Sequence, residues 1–199
     1  MKKNNFLSVL FAAICSVLIT ASCTNSNQKS AESNAAVKTV SPEDMIKHGE
    51  YLVTIMGCND CHSPKKIGPN GPEIIPELLL SGYPSDRPII KFNEPLLKEG
   101  FGMFYPDLTA AAGPWGVSFA ANLTPDQSGI GTWTEEQFKR ALTEGKFKGI
   151  AGARTLLPPM PWFNFTELKD EDVSAIFAYL KSIKPVVNVV PQPIPPDQM

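Results

Sequence analysis

Cysteine, histidine and net charge are all scarce in this sequence. Its 199 residues include 4 cysteines and 2 histidines, and the formal net charge is −2. So small a charge gives no indication of a nucleic-acid partner. A structural zinc site needs four Cys or His ligands, usually as two pairs, and no second pair follows Cys61. The length fits one domain, and 19 prolines with 14 glycines predict much non-repetitive chain.

Long apolar runs are absent too, except near the start of the chain. Lys2 and Lys3 precede an apolar stretch, Phe6–Ile19, which is short for a membrane span and typical of an export signal. The stretch Leu18-Ile19-Thr20-Ala21-Ser22-Cys23 resembles a bacterial lipoprotein box. We therefore expect residues 1–22 to be a signal peptide and Cys23 to be lipidated, on the periplasmic side of a bacterial membrane. The alternative is ordinary cleavage near Ser22, which would leave Cys23 as a free thiol.

The next residues, 23–40, are mostly polar or small, and we expect them to form a flexible tether. The remaining chain divides into a predicted domain over 41–190 and a proline-rich extended tail over 191–199.

One short motif carries recognisable chemistry, Cys58-Asn59-Asp60-Cys61-His62. Cys-x-x-Cys-His is the attachment signature of a c-type haem, in which two thiols form thioethers and the imidazole binds the iron. A thioredoxin-like motif would lie near a βαβ pattern, whereas here a helix precedes the motif and a loop rich in proline and glycine follows. A plain disulfide would leave His62 unexplained.

Three helices are predicted around this motif. The first begins at Ser41 and Pro42 and carries Gly49 on its apolar face, where another helix could cross closely. The second begins at Thr134, which has capping-box spacing to Gln137, and ends near Gly145. The last covers about 171–183, with Asp170 as its N-cap, and is the natural partner of Gly49.

The segment from Ser63 to Gly131, called here the inserted segment, has frequent breakers, which are typical of irregular chain. Within it we expect one short helix near 94–99 and short strands around 88–91 and 117–121. A structureless segment of this length is unusual in a compact domain, so it is either functional or poorly described by sequence patterns.

A methionine between prolines, Pro159-Met160-Pro161, is the candidate second iron ligand. A lone loop methionine is ordinarily a packing residue. The haem motif favours the ligand interpretation, because His and Met together are a usual axial pair for electron transfer. His48 is the other conceivable ligand, but it lies on the helix that leads directly to Cys58, so a surface position is favoured.

Taken in order, the helix, the haem motif, the proline-flanked methionine and the closing helix resemble a class I cytochrome c. Several stretches look more narrowly like an exported bacterial group related to the cytochrome subunits of membrane-bound alcohol and aldehyde dehydrogenases: Gly113-Pro114-Trp115-Gly116, Asn122-Leu123-Thr124-Pro125-Asp126, Gly129-Ile130-Gly131-Thr132-Trp133-Thr134 and Pro159-Met160-Pro161-Trp162. The resemblance covers about 41–191.

The resemblance implies a mainly α fold around one covalent haem c, with a long irregular insertion between the two iron ligands. It implies Cys58 and Cys61 as the thioether anchors, His62 as the proximal ligand and Met160 as the distal ligand. It also implies a proline whose carbonyl accepts the N–H of the proximal imidazole, and the spacing leaves Pro69 and Pro72 both open.

The expected function is electron transfer without catalysis, between exported or membrane redox partners such as a dehydrogenase or a terminal oxidase. Two alternatives stay open. The iron could keep an open sixth position, as in a haem enzyme or a gas or peroxide sensor, or the protein could be a dedicated subunit of a dehydrogenase or oxidase complex.

Overall fold

Five α-helices succeed one another in the computed structural model, which describes residues 40–89 and 91–199. They are α1 (Pro42–Ile55), α2 (Cys58–His62), α3 (Glu94–Lys98), α4 (Glu135–Thr143) and α5 (Asp170–Ser182). The predicted signal peptide, Cys23 and nearly all of the predicted tether lie outside the described residues. No helix within the described residues is both long enough and apolar enough to cross a bilayer.

The start of α1 follows its sequence signals. Ser41 has an extended backbone and its hydroxyl accepts the N–H of Asp44, while Pro42 occupies the first turn, where its missing N–H costs nothing. Gly57 follows α1 in the left-handed region with φ 71° and turns the chain directly into α2. The haem motif therefore begins at a fixed corner of the backbone.

Helices α1 and α5 cross at Gly49, as predicted. A Cβ built on Gly49 would lie 1.9 Å from the carbonyl oxygen of Ala175 on α5. Only glycine permits this approach, which offsets the roughly 1 kcal/mol that glycine costs inside a helix. At the surface of the same contact, His48 Nε2 lies 2.8 Å from Asp172 Oδ1, so His48 is a surface residue bound to α5.

The capping box of α4 is also confirmed. Thr134 Oγ1 accepts the N–H of Gln137, and Gln137 Oε1 accepts the N–H of Thr134. Helix α5 starts one residue earlier than predicted, at Asp170, with Lys169 rather than Asp170 as its N-cap. The acidic residues of its first turn still face the positive end of the helix dipole.

The inserted segment is more ordered than the sequence patterns indicate. It contains the hairpin of β1 (Lys65–Gly68) and β2 (Gly71–Ile74), and a three-stranded antiparallel sheet of β3 (Met103–Phe104), β4 (Ala110–Gly113) and β5 (Gly116–Phe119). The expected helix near 94–99 is α3, and the strand expected over 117–121 overlaps β5. The strand expected over 88–91 is wrong for the described residues 88, 89 and 91, none of which lies in a strand.

These sheets correct the expectation of an irregular insertion. Strand β4 gives no sequence signal because it consists of alanines and glycine, Ala110–Gly113, all four of which are buried. A strand covered on both faces shows no alternation of polar and apolar residues.

Two apolar clusters hold these elements. The larger one is formed mainly by the helices, and the smaller lies in the inserted segment around Leu97, Ala112 and Val117. The buried members of the larger cluster are Leu52, Val53, Leu80, Ile130, Phe138, Leu142, Val173, Ala175, Ile176 and Leu180. At the end of the chain, Ile194 forms an isolated antiparallel bridge with Val117 and packs on the smaller cluster. The last residues thus rest on the inserted sheet.

Candidate haem-binding site

The two motif cysteines lie one helical turn apart on α2. Residues three apart share one face of a helix, so both thiols are presented on the same side. Both are free thiols and partly buried. Burial raises the pKa of Cys58 to about 11 and also raises the pKa of Cys61, so both are neutral thiols near pH 7.

His62 closes α2 and is oriented by a main-chain carbonyl. Its Nδ1 lies 2.8 Å from the oxygen of Ala121. Because a carbonyl oxygen only accepts, Nδ1 must carry the proton, and the lone pair is on Nε2. Iron-binding histidines are held in the same way, by a hydrogen bond at the nitrogen that does not touch the metal.

The surroundings of His62 also favour its neutral form. Burial lowers the pKa of the imidazole, the bond to Ala121 opposes this effect, and the positive charge of Lys65 adds to it. A neutral imidazole is the form that binds iron.

The acceptor of this hydrogen bond corrects one expectation. Neither Pro69 nor Pro72 accepts it. The register of the β1–β2 hairpin pairs Ile67 with Pro72 and places Pro69 in the exposed turn. Both prolines therefore belong to the hairpin. The imidazole instead donates to the chain that follows β5.

Residues 82 and 83 hold the chain on both sides of this hydrogen bond. The N–H of Tyr83 donates to the oxygen of Ala120 at 3.0 Å, and the N–H of Gly82 donates to the oxygen of His62 at 2.8 Å. Gly82 has φ 78°, and a Cβ there would lie 2.4 Å from the Ala120 oxygen. Residues 82 and 83 thus tie His62 to the chain after β5, which orients its ring.

Two buried asparagines strengthen this arrangement, in a role that was not predicted from the sequence. Asn188 Nδ2 donates to the oxygens of Ser81 and Tyr83 at 2.7 and 2.9 Å. Asn122 Nδ2 donates to the oxygen of Val186 at 2.8 Å. The sequence does mark Asn188 as unusual, because it is the one polar residue between Val186 and Val190. An isolated amide in an apolar stretch is costly to bury unless it forms hydrogen bonds.

Met160 lies at the edge of the larger apolar cluster. It is partly buried and packs against that cluster, as Cys58 does. The residues before it are attached at two points, since Ser118 Oγ donates to the oxygen of Pro158 at 2.5 Å and the N–H of Leu156 donates to the oxygen of Gly145 at 2.7 Å. The loop is thereby fixed to β5 and to the end of α4.

Strand β5 and the residues just after it thus contact both candidate iron ligands or their loops. Ser118 holds the methionine loop, and Ala121 holds His62. The donor set consists of two reduced thiols, an oriented neutral imidazole and a thioether, and two of its members, Cys58 and Met160, pack against the same apolar cluster. This set of groups fits a covalently attached haem. Within the described residues, no group of three or more His, Cys, Asp or Glu side chains could hold a metal ion directly.

The chain belongs to the cytochrome c family, whose model matches residues 46–184. Its relatives include the cytochrome c subunit of a quinone alcohol dehydrogenase from Gluconobacter oxydans, 30% identical over 72% of this chain and 23% of that protein. The cytochrome subunit of fructose dehydrogenase from Gluconobacter japonicus is 29% identical over 71% of this chain and 22% of its own length.

A third relative is the cytochrome c subunit of gluconate 2-dehydrogenase from Pantoea cypripedii, 27% identical over 72% of this chain and 24% of that protein. The chain therefore spans less than a quarter of the length of each of these relatives. What they share with it is the cytochrome c domain and its role in electron transfer.

Proposed function

We propose that this protein carries single electrons through one haem c, in a class I cytochrome c fold. Cys58 and Cys61 would hold the group by thioether bonds, with His62 as the proximal ligand and Met160 as the distal ligand. When bound, haem supplies one-electron Fe(III)/Fe(II) chemistry.

The observation that carries this proposal is the hydrogen bond between His62 Nδ1 and the Ala121 oxygen at 2.8 Å. It fixes the tautomer, fixes the ring plane and leaves Nε2 for iron. A histidine that served only as a packing residue would not need to follow two thiols directly and have its Nδ1 held by a carbonyl.

The methionine loop supports a carrier rather than a catalyst. Two attachments, at Pro158 and Leu156, hold the residues before Met160 against β5 and α4. Axial ligation by His and Met occupies both sides of an iron and raises its reduction potential, which suits electron transfer. An open sixth position would instead favour the sensor or enzyme alternative.

The relatives favour a dehydrogenase as the redox partner. Those named above are cytochrome subunits of alcohol, fructose and gluconate dehydrogenases. We propose that this chain serves such an enzyme from the periplasmic side of a bacterial membrane. Lipidation of Cys23 and the tether after it would keep the domain close to that membrane.

The experiment is maturation in a host with a cytochrome c assembly system, followed by intact mass and a pyridine haemochrome spectrum. We expect the mass of one haem, and a spectrum typical of two thioether bonds. The double variant Cys58→Ser/Cys61→Ser should lose the covalent mass. A mature protein without added haem mass would contradict the proposal.

Co-purification with a dehydrogenase after mild detergent extraction would separate a dedicated subunit from a free carrier. Incorporation of labelled palmitate, absent from a Cys23→Ala variant, would test the anchor.

A further inference from the structure

One ammonium group is bound unusually closely to the haem motif. Lys65 Nζ lies within hydrogen-bonding distance of four main-chain oxygens: those of Asn59 at 3.1 Å, Asp60 at 2.7 Å, Ser63 at 2.9 Å and Asp107 at 3.2 Å. Three N–H groups thus serve four acceptors. Two of the acceptors, Asn59 and Asp60, belong to α2 itself.

No carboxylate neutralises this charge directly within the described residues. The nearest buried carboxylate, that of Asp107, is instead paired with Arg87 Nη1 at 2.8 Å and accepts from Thr109. The Asp60 side chain lies on the exposed side of α2 and shows no ion pair with Lys65. Lys65 is therefore a positive charge solvated mainly by carbonyl dipoles.

The position of this charge is fixed by the fold. Lys65 is the first residue of β1, and its own N–H approaches Asp107 Oδ2 at 3.4 Å. Its side chain thus joins the inserted segment to α2. Two of the carbonyls that it binds, those of Asn59 and Asp60, lie within the haem motif, so its charge is held beside that motif.

A fixed positive charge favours the redox state with less positive charge. For an iron centre this is Fe(II), so a cation held near the proximal ligand raises the reduction potential. A partly buried charge is screened by salt much less than an exposed one, so its influence should persist at high ionic strength.

We propose that Lys65 is a positioning and electrostatic residue that sets the reduction potential from the proximal side, by holding its ammonium on the carbonyls of α2. The inference rests on the proposed function, since it requires haem at Cys58, Cys61 and His62. It assigns to the inserted segment a part in the redox chemistry of the motif.

The test is a spectroelectrochemical titration of the haem-loaded protein at low and at high ionic strength. Lys65→Met removes the charge and keeps most of the side-chain volume, and we expect its potential to shift to lower values at both salt concentrations. The matched control is Lys66→Met, because Lys66 is the next residue on β1 and is exposed. Its shift should be small and should vanish at high salt.

Two further variants separate charge from structure. Lys65→Gln can still donate to carbonyls but is neutral, and it should shift the potential in the same direction as Lys65→Met. Lys65→Arg keeps the charge and should keep the potential near that of the wild type, which would show that any loss in the neutral variants comes from the missing charge.

The proposal is overturned if Lys65→Met and Lys66→Met shift the potential equally, if Lys65→Gln keeps the wild-type potential, or if Lys65→Arg lowers it. Failure of the proposed function looks different, because the wild-type protein would then contain no covalent haem.

Discussion

Two regions of this molecule are stabilised in different ways. Helices α1, α4 and α5, called here the helical part, pack through apolar side chains and one close backbone approach at Gly49. The inserted segment has a much smaller apolar cluster. It depends on side chains that donate to main-chain oxygens, such as Lys65, Ser118 and Asn122.

The difference follows from the local structure of each region. A helix satisfies its own backbone groups and needs only one apolar face. Chain with short strands and many turns leaves carbonyls and N–H groups that other groups must satisfy. In this molecule the groups that do so also position His62 and the methionine loop, so the inserted segment builds part of the candidate haem site.

The largest loss of stability is expected from removing one partner of a buried ion pair in the inserted segment. Asp107 is buried and paired with Arg87 at 2.8 Å, and Arg87 lies over the ring of Tyr105. Asp107→Ala would leave the guanidinium without its counterion, and we expect a loss of about 3–5 kcal/mol in the free energy of unfolding. Urea denaturation of the haem-loaded protein would measure it.

The control for that variant is Glu43→Ala, which removes an exposed ion pair with Lys47 on α1. It should change stability little, because exposed pairs are screened by solvent. Equal losses in the two variants would show that the buried pair is not special.

The Asp107 pair also predicts a pH dependence. Burial alone would raise the pKa of this carboxyl, but hydrogen bonds from Thr109 and Arg87 outweigh it and lower the pKa below its usual value. Its contribution to stability is therefore complete above the unfolded pKa, about 4, and is lost as the pH falls through the lower folded value. Asp107→Asn should lose less stability than the wild type over that acidic range.

The next effect tests the helical part. In Gly49→Ala, the new Cβ would meet the Ala175 carbonyl at 1.9 Å, so α1 and α5 must separate. Overpacking of this kind destabilises by about 1–3 kcal/mol. The better helix propensity of alanine offsets roughly 1 kcal/mol of this loss. We expect a net loss in thermal denaturation.

Gly102→Ala is the matched control, because a Cβ there would find its nearest neighbour at 3.9 Å. A Gly49→Ala protein as stable as this control would contradict the close crossing of α1 and α5.

The smallest effect concerns the link between the two regions. Ser118→Ala removes the hydrogen bond from β5 to the Pro158 oxygen and should cost about 1 kcal/mol. The loss should appear mainly at Met160, as weaker iron–methionine ligation on heating, followed by the far-red charge-transfer band of the oxidised protein. If the band is lost at the same temperature as in the wild type, β5 does not support the methionine loop.

How far the sequence could predict this structure depends on which region is considered. Caps and apolar periodicity identified α1, α4 and α5, and Gly49 on an apolar face predicted the crossing of α1 and α5. The haem motif identified the candidate proximal site directly. These patterns are local or repeat at helical spacing, so they can be identified in the sequence without knowledge of the fold.

The inserted segment could not be predicted in the same way. The partner of His62 is Ala121, 59 residues away, and an alanine carbonyl leaves no trace in a sequence because every residue has one. Lys65 and Asn188 likewise act on backbone atoms of other segments. Family resemblance indicated a proline as the acceptor, and only the contact of His62 with Ala121 excluded it.

The measurement that tests the proposed ligation most directly is the far-red methionine–iron charge-transfer band of the oxidised, haem-loaded protein. We predict that the wild type has this band and that Met160→Ala lacks it, while Met103→Ala, which alters a methionine on β3 beside the smaller cluster, retains it. A band that is unchanged in Met160→Ala, or absent from the wild type, would contradict the assignment of His62 and Met160 as the two axial ligands.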